Sequence, residues 1–141
     1  MRQSIIQSLK FPQTKLAPSK INGAGVGVFA INKIPEGYPI FGPKGKLFFI
    51  SWDETSDISD ELRSYIRYIC HSNETGFWID RHLDQIDSSF YVNHSENPNT
   101  WHDKEADIFY ADRDIEAGEE ITCLYPYEER DWLFNLSQRV L

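Results

Sequence analysis

Apolar positions in this chain alternate over short runs far more often than they recur at helical spacing. Residues 26–32, Val-Gly-Val-Phe-Ala-Ile-Asn, alternate, are rich in β-branched side chains, and lead to the turn Pro35-Glu36-Gly37; the pattern predicts a strand. The same reading gives strands over 38–41, 46–52, 75–80, 107–115 and 121–125, with turns at 41–46 and at 116–120. Only 56–70 reads as a convincing helix: serine and aspartate stand at its start, and Leu62, Tyr65, Ile66 and Ile69 fall on one face. Residues 131–141 suit a short closing helix, and residues 1–20 are mixed, ending in the turn-prone Ala17-Pro18-Ser19-Lys20. Many short strands, many turns and few helices make a mostly β fold. No repeat, low-complexity segment or long linker divides residues 1–141, so a single domain is expected.

Composition supports a folded chain, since 40% of the 141 residues are apolar and 14% aromatic. Fourteen Lys and Arg against 22 Asp and Glu give a net charge of −8. Direct nucleic-acid binding is disfavoured, because phosphate neutralisation needs the opposite sign. The charge suits a cationic partner or simply a solvated surface. Cys70 and Cys123 cannot form a four-ligand zinc site alone, and neither sits in a Cys-x-x-Cys pair, so no metal is expected. The first residues lack an apolar signal core, and no run approaches the ~18 residues of a membrane span. An intracellular protein with no membrane partner is the expectation: cytoplasmic if bacterial, nuclear if eukaryotic or viral.

Two stretches carry candidate chemistry. Gly23, Gly25 and Gly27 alternate ahead of a strand. A dinucleotide fingerprint needs a helix there and a P-loop needs Gly-Lys-Ser/Thr, so both nucleotide readings fail and a turn is the plain reading. Residues 91–100, Tyr-Val-Asn-His-Ser-Glu-Asn-Pro-Asn-Thr, pack polar side chains against an apolar patch. Such density either caps a turn or builds a site. By itself His94 reads first as a structural hydrogen-bonding histidine, and Asn97 and Asn99 as turn formers.

Taken in order, Gly25-Val26-Gly27, the Ile79-Asp80 pair leading into Asn93-His94-Ser95-Glu96-Asn97-Pro98-Asn99, and Gly118-Glu119-Glu120-Ile121 with Tyr125 form one pattern. It resembles the SET-domain protein lysine methyltransferases, most closely minimal bacterial or viral members without zinc-binding flanking modules. The likeness spans residues 19–127, with a variable insert at about 51–76 and a closing tail at 126–141. It implies a β-clip fold of several small sheets with a threaded, pseudoknot-like C-terminal segment. It also implies S-adenosyl-L-methionine as cofactor, held by Gly25, Val26, Gly27, Asn93 and His94, with Trp132 or Phe134 covering the adenine. An asparagine carboxamide can meet an amino-acid ammonium or carboxylate. Glycines at 25 and 27 would let a methionyl group approach the backbone. Pro98 restrains the loop before anything binds.

The implied reaction is in-line displacement of a sulfonium methyl by a neutral amine. Neutralising a lysine of reference pKa about 10.4 at neutral pH costs roughly 4 to 5 kcal/mol. An apolar channel and a nearby sulfonium both lower that cost, so no carboxylate or histidine base is required. Tyr125 takes the family's catalytic position, its hydroxyl holding amine and methyl in line. Tyr91, Tyr110, Cys123 and Tyr127 are channel candidates, with Phe77 and Trp78 as further aromatic walls. Asp57, Asp60, Glu61 and Glu74 would attract a basic protein or peptide substrate, a histone among the candidates. The other class of reading is a non-catalytic module that binds a basic peptide, but such a reader has little use for Asn93, His94 and Tyr125 together.

The sequence departs from the family at four points. Glu96 stands where many members have cysteine, and no cysteine cluster follows, so the tail must close the channel otherwise, through Tyr127 and Trp132 or in a homodimer. Cys123 replaces the Phe or Tyr two before the catalytic tyrosine, and the smaller side chain favours di- or trimethylation. Pro126 replaces a glycine and redirects the chain.

Overall fold

The computed structural model describes residues 1–42 and 45–125. In chain order the elements are α1 (Arg2–Ser8), β1 (Thr14–Pro18), β2 (Val26–Ala30), β3 (Pro39–Phe41), β4 (Phe48–Ser51), α2 (Asp60–Ile69), β5 (Gly76–Ile79), β6 (Asn93–His94), β7 (Thr100–Asp103), β8 (Ile108–Ala111) and β9 (Glu120–Cys123). Mostly β with two α-helices among the described residues, this is the expected fold class. The chain divides into two compact units, Met1–Pro43 with Tyr91–Leu124, and Lys44–Phe90 with Tyr125–Leu141. The tail expected to thread falls in 126–141, outside the described residues.

In the first unit, one sheet runs β1-β2-β9-β6 and a second runs β3-β8-β7. Strand β2 lies between β1 and β9, so both of its edges are paired, and Val28, Phe29 and Ala30 are all buried. Pro18 is accommodated because β1 is an edge strand, and Pro39 opens β3, also at an edge. Ile34 and Ile115, almost fully buried, exchange backbone hydrogen bonds of 2.8 Å in each direction. β1 and β7 were not expected, because neither carries a clear apolar alternation. Helix α1 is also unexpected, and it buries no residue, so no core-facing stripe marks it in the sequence.

The second unit pairs β4 with β5, from Phe48 opposite Ile79 to Ser51 opposite Gly76. The expected helix is α2, capped by the Ser59 hydroxyl, which accepts from the Leu62 amide at 3.2 Å. Ile66 and Ile69 are its buried positions, while Leu62 and Tyr65, expected on the same face, are exposed. Trp52 is the centre of this unit. Its ring lies 5.0 Å from that of Phe77, the Arg63 and Arg67 guanidinium groups lie over it at 5.5 and 5.0 Å, and its N–H donates to the Asn73 carbonyl at 3.0 Å.

After β5 the chain is fixed by a buried carboxylate. The Asp80 side chain is 2% exposed, accepts two bonds from Arg81 at 2.8 and 2.9 Å, and accepts from the Gly45 amide at 2.9 Å. Arg81 also reaches Asp87 at 2.9 Å. The Arg81 hydrogen bonds hold the Asp80 carboxyl below its usual range, against the opposing effect of burial and with help from the Gly45 amide. A carboxylate whose folded pKa is depressed stabilises above its unfolded pKa and loses that contribution as pH falls through the folded value. Asp80→Asn should therefore cost about 2 kcal/mol at neutral pH, the scale of a hydrogen bond to a charged group. In urea titrations the deficit of the variant should shrink as pH falls below about 4.

Candidate functional site

The turn before β9 sets two adjacent glutamates to different tasks. Gly118 has φ of 87°, and the Glu119 amide donates to the Glu116 carbonyl at 3.0 Å. Glu119 then accepts from Arg113 at 2.9 Å and from the Glu116 amide at 2.9 Å, which closes the turn. Those bonds, Arg113 first, hold its carboxyl below the usual range. Glu120 opens the strand and turns its carboxylate the other way. It accepts from the Ser19 hydroxyl at 3.0 and 2.7 Å, from the Lys20 amide at 2.8 Å, and from the Asn93 side-chain amide at 3.0 Å.

Asn93 gives its second N–H to the Val26 carbonyl at 3.0 Å. Both of its neighbours there are acceptors, so the nitrogen must face them and Oδ1 is directed elsewhere. The glycines on either side of Val26 serve separate needs. Gly25 has φ of 77°, which β-carbon-bearing residues rarely adopt, and its carbonyl accepts from the Ser19 amide at 2.7 Å. At Gly27 the reason is internal packing: a β-carbon there would overlap the Glu120 carboxylate and stand 3.3 Å from the Asn93 nitrogen. Sequence reading ascribed both glycines to ligand approach, whereas the space at Gly27 is filled by Glu120.

The polar loop is bound to β9. Asn93 and His94 pair in parallel with Thr122 and Cys123, and the Ser95 amide donates to the Cys123 carbonyl at 3.0 Å. Asn99, 3% exposed, donates to the Glu120 carbonyl at 2.9 Å and accepts from the Thr122 amide at 2.9 Å. It is thus a clamp between two chain segments, beyond the turn former read from sequence. His94 Nε2 lies 3.1 Å from Glu96 Oε1, so its ring does order the loop. That contact gives Glu96 a local partner within the loop.

Other candidates are more scattered. Cys123 is a buried cysteine on β9, opposite His94. Tyr91, half-buried, ends the short 3-10 turn Ser88–Tyr91. Tyr110 stands in the β3-β8-β7 sheet with its ring stacked on Trp101 at 4.9 Å. Phe77 packs on Trp52 and is a core residue of the second unit, while Trp78 is half-buried and packs on Phe49 and His71 at 4.8 Å each. Asp57, Asp60, Glu61 and Glu74 are exposed. Tyr125 is half-buried and groups with the second unit. Tyr127, Trp132 and Phe134 lie outside the described residues. Among the described residues, no group of three or more His, Cys, Asp or Glu could hold a metal ion, and no helix could cross a membrane. Sequence reasoning missed Ser19, Asn99 and the separate task of Glu120; the signal for the last was its position one residue beyond a turn glutamate, on the other face of a strand.

Comparison with known proteins gives a consistent picture. A family model described as the SET domain matches residues 25–126. Among curated proteins nothing matches. A humanized mutant of the Chaetomium thermophilum Polycomb Repressive Complex 2 bound to an inhibitor is similar at 29% identity and TM-score 0.55, over 84% of this chain and 15% of that one. The apo form of the complex from that organism, in an autoinhibited state, aligns at 26% identity and TM-score 0.58, over 92% of this chain and 17% of the other. An autoinhibited conformation of it bound to S-adenosylmethionine aligns at 26% identity and TM-score 0.54, with the same two shares. The chain therefore spans less than a fifth of the length of these relatives.

The clamp yields a direct expectation. Asn99→Ala removes two bonds to β9 and leaves buried backbone groups unsatisfied, so it should lower stability by about 2 kcal/mol. Asn97→Ala, on an exposed side chain, should stay within about 0.5 kcal/mol. Denaturation midpoints of the two variants check the contrast.

Proposed function

The chain belongs to the SET-domain family, and on that premise we propose that it is an S-adenosyl-L-methionine-dependent protein lysine methyltransferase. The observation that carries the reading is the disposition of Asn93. Its two N–H groups are taken up by Val26 and Glu120. Its carbonyl oxygen, beside a carboxylate, is then the group that can meet a ligand ammonium. The donor set therefore fits an amino-acid cofactor entering by its ammonium end. The resemblance assigns Gly25, Val26, Gly27, Asn93 and His94 to hold the cofactor, with Trp132 from the tail. When bound, S-adenosyl-L-methionine supplies an electrophilic methyl group for attack by a neutral lysine amine.

This chain's own contribution is orientation and dehydration. Tyr125 is proposed to bond the incoming amine through its hydroxyl and hold it in line, without ionising. Tyr91, Tyr110 and Tyr127 are proposed to exclude water, which disfavours the ammonium form of the substrate lysine. The substrate is proposed to be a basic protein segment, with histones as one candidate; the acidic balance of the chain is compatible with such a partner. A homodimer is proposed as one way for the site to be closed.

Methyl transfer from labelled cofactor to a panel of basic proteins tests the reading. Label should appear on lysine and fall by roughly 100-fold or more in Tyr125→Phe if that hydroxyl aligns the reacting groups. No transfer together with no cofactor binding would favour the peptide-reading module, whereas cofactor binding without transfer points to a substrate outside the panel. The small Cys123 side chain, buried on β9, leads to a second expectation: wild type accumulates di- or trimethyl-lysine at long incubation, read by mass spectrometry. Product that stops at monomethyl would overturn that assignment.

A further inference from the structure

We propose that Glu120 is a positioning residue that fixes which end of the Asn93 carboxamide faces the cofactor; this rests on the reading of the Asn93 loop as the cofactor site. The Glu120 carboxylate is itself held by donors that do not move with Asn93. Ser19 reaches both of its oxygens at 3.0 and 2.7 Å, and the Lys20 backbone amide holds Oε1 at 2.8 Å. Oε2 is left to accept from Asn93 at 3.0 Å. A side chain that can only accept thus faces Asn93, and the Val26 carbonyl, also an acceptor, faces it from the other side. The flipped carboxamide would set oxygen against two acceptors. One orientation survives, and it presents Oδ1 as an acceptor.

The absence of a side chain at Gly27 is part of the same device. A β-carbon there would come within 2.9 Å of the Glu120 carboxyl carbon and would displace it from Asn93. The motif glycine, the second glutamate of the turn and the loop asparagine therefore act as one unit.

Glu120→Gln changes the chemistry with almost no change in shape. The Lys20 amide, a donor, would hold the new carbonyl oxygen, as it holds Oε1 now. The new amide nitrogen would then face Asn93 and set donor against donor. Asn93 would relieve that clash by turning its nitrogen outward, where it opposes an ammonium, and would give up its bond to the Val26 carbonyl. The loss should fall on ligands that carry the amino-acid group and spare those that lack it.

Titration calorimetry with two ligands reads this out. S-adenosylhomocysteine carries the amino-acid group, and methylthioadenosine keeps the nucleoside and sulfur but lacks it. In Glu120→Gln the affinity for S-adenosylhomocysteine should drop by roughly tenfold or more, while that for methylthioadenosine stays within about twofold of wild type. Equal affinity of variant and wild type for S-adenosylhomocysteine overturns the role of Glu120 and leaves the cofactor reading standing. Equal loss of both ligands from a variant that melts as wild type does also overturns it, because the effect is then general. Wild type that binds neither ligand removes the cofactor reading itself. If Glu120→Gln does not fold, Ser19→Ala decides: a selective loss for S-adenosylhomocysteine, smaller but in the same direction, supports the proposal, and no selectivity overturns it.

Discussion

Strand β9 has four residues, and the first unit depends on both of its edges being satisfied. On one edge it pairs with β2, with Val28 opposite Ile121. The other edge has only the two residues of β6, in parallel register. Two residues of ladder cannot cover the backbone groups that remain, and unpaired buried amides and carbonyls are costly. Asn99 makes up the shortfall, presenting one acceptor and one donor to the Thr122 amide and the Glu120 carbonyl. The Thr100 hydroxyl adds a bond to the Thr122 carbonyl at 2.8 Å. Side chains therefore finish a sheet that the backbone starts. Much of the polar density of residues 91–100 follows from the need to complete β9, and the proposed site draws on the same side chains.

That double duty explains what the sequence could and could not reveal. β2, β4, β5, β8 and β9 have enough apolar or β-branched residues to be read directly, and α2 has a capping serine and a helical stripe. β7 carries Trp101 and His102 on exposed positions, so its strand character comes from pairing with β8 and not from its own pattern. β1 holds Lys15, Ala17 and Pro18, and it is a strand because β2 presents five residues for it to pair with. Helix α1 has no buried face at all. In each case the missing information was the neighbour, which local patterning does not encode.

The site shows the same division. Motif spacing located Gly25, Gly27, Asn93 and His94, and the fold brings Gly27, Val26 and Asn93 together through Glu120. The spacing did not give the reason for each residue. Gly27 is small for the sake of a glutamate over ninety positions away, and the Ser19 hydroxyl that steadies that glutamate lies in a segment read as a plain turn. Long-range polar contacts of this kind leave no periodic trace. The Glu96 partner of His94 is the exception, since its distance of two residues keeps it within local reach.

Charge needs the same care. Residues 1–35 hold five cations and no carboxylate, so the rest of the chain sets nine cations against all 22 carboxylates. Several of those carboxylates have internal work. Glu119, Glu120, Asp80 and Asp87 hold turns, loops or arginines in place, and Asp114 pairs with Lys33 at 3.2 Å. A carboxylate already matched by a cation or by backbone amides adds little to the field felt by a distant lysine. Asp60 and Glu61 stand in the first turn of α2, where the positive end of the helix offsets part of their charge. Screening over about 8 Å at physiological salt weakens what remains. Net charge alone therefore gives a basic substrate only a weak pull. For the proposed reaction, selection among lysines would have to arise at short range, from side chains close enough to touch the residues on either side of the target.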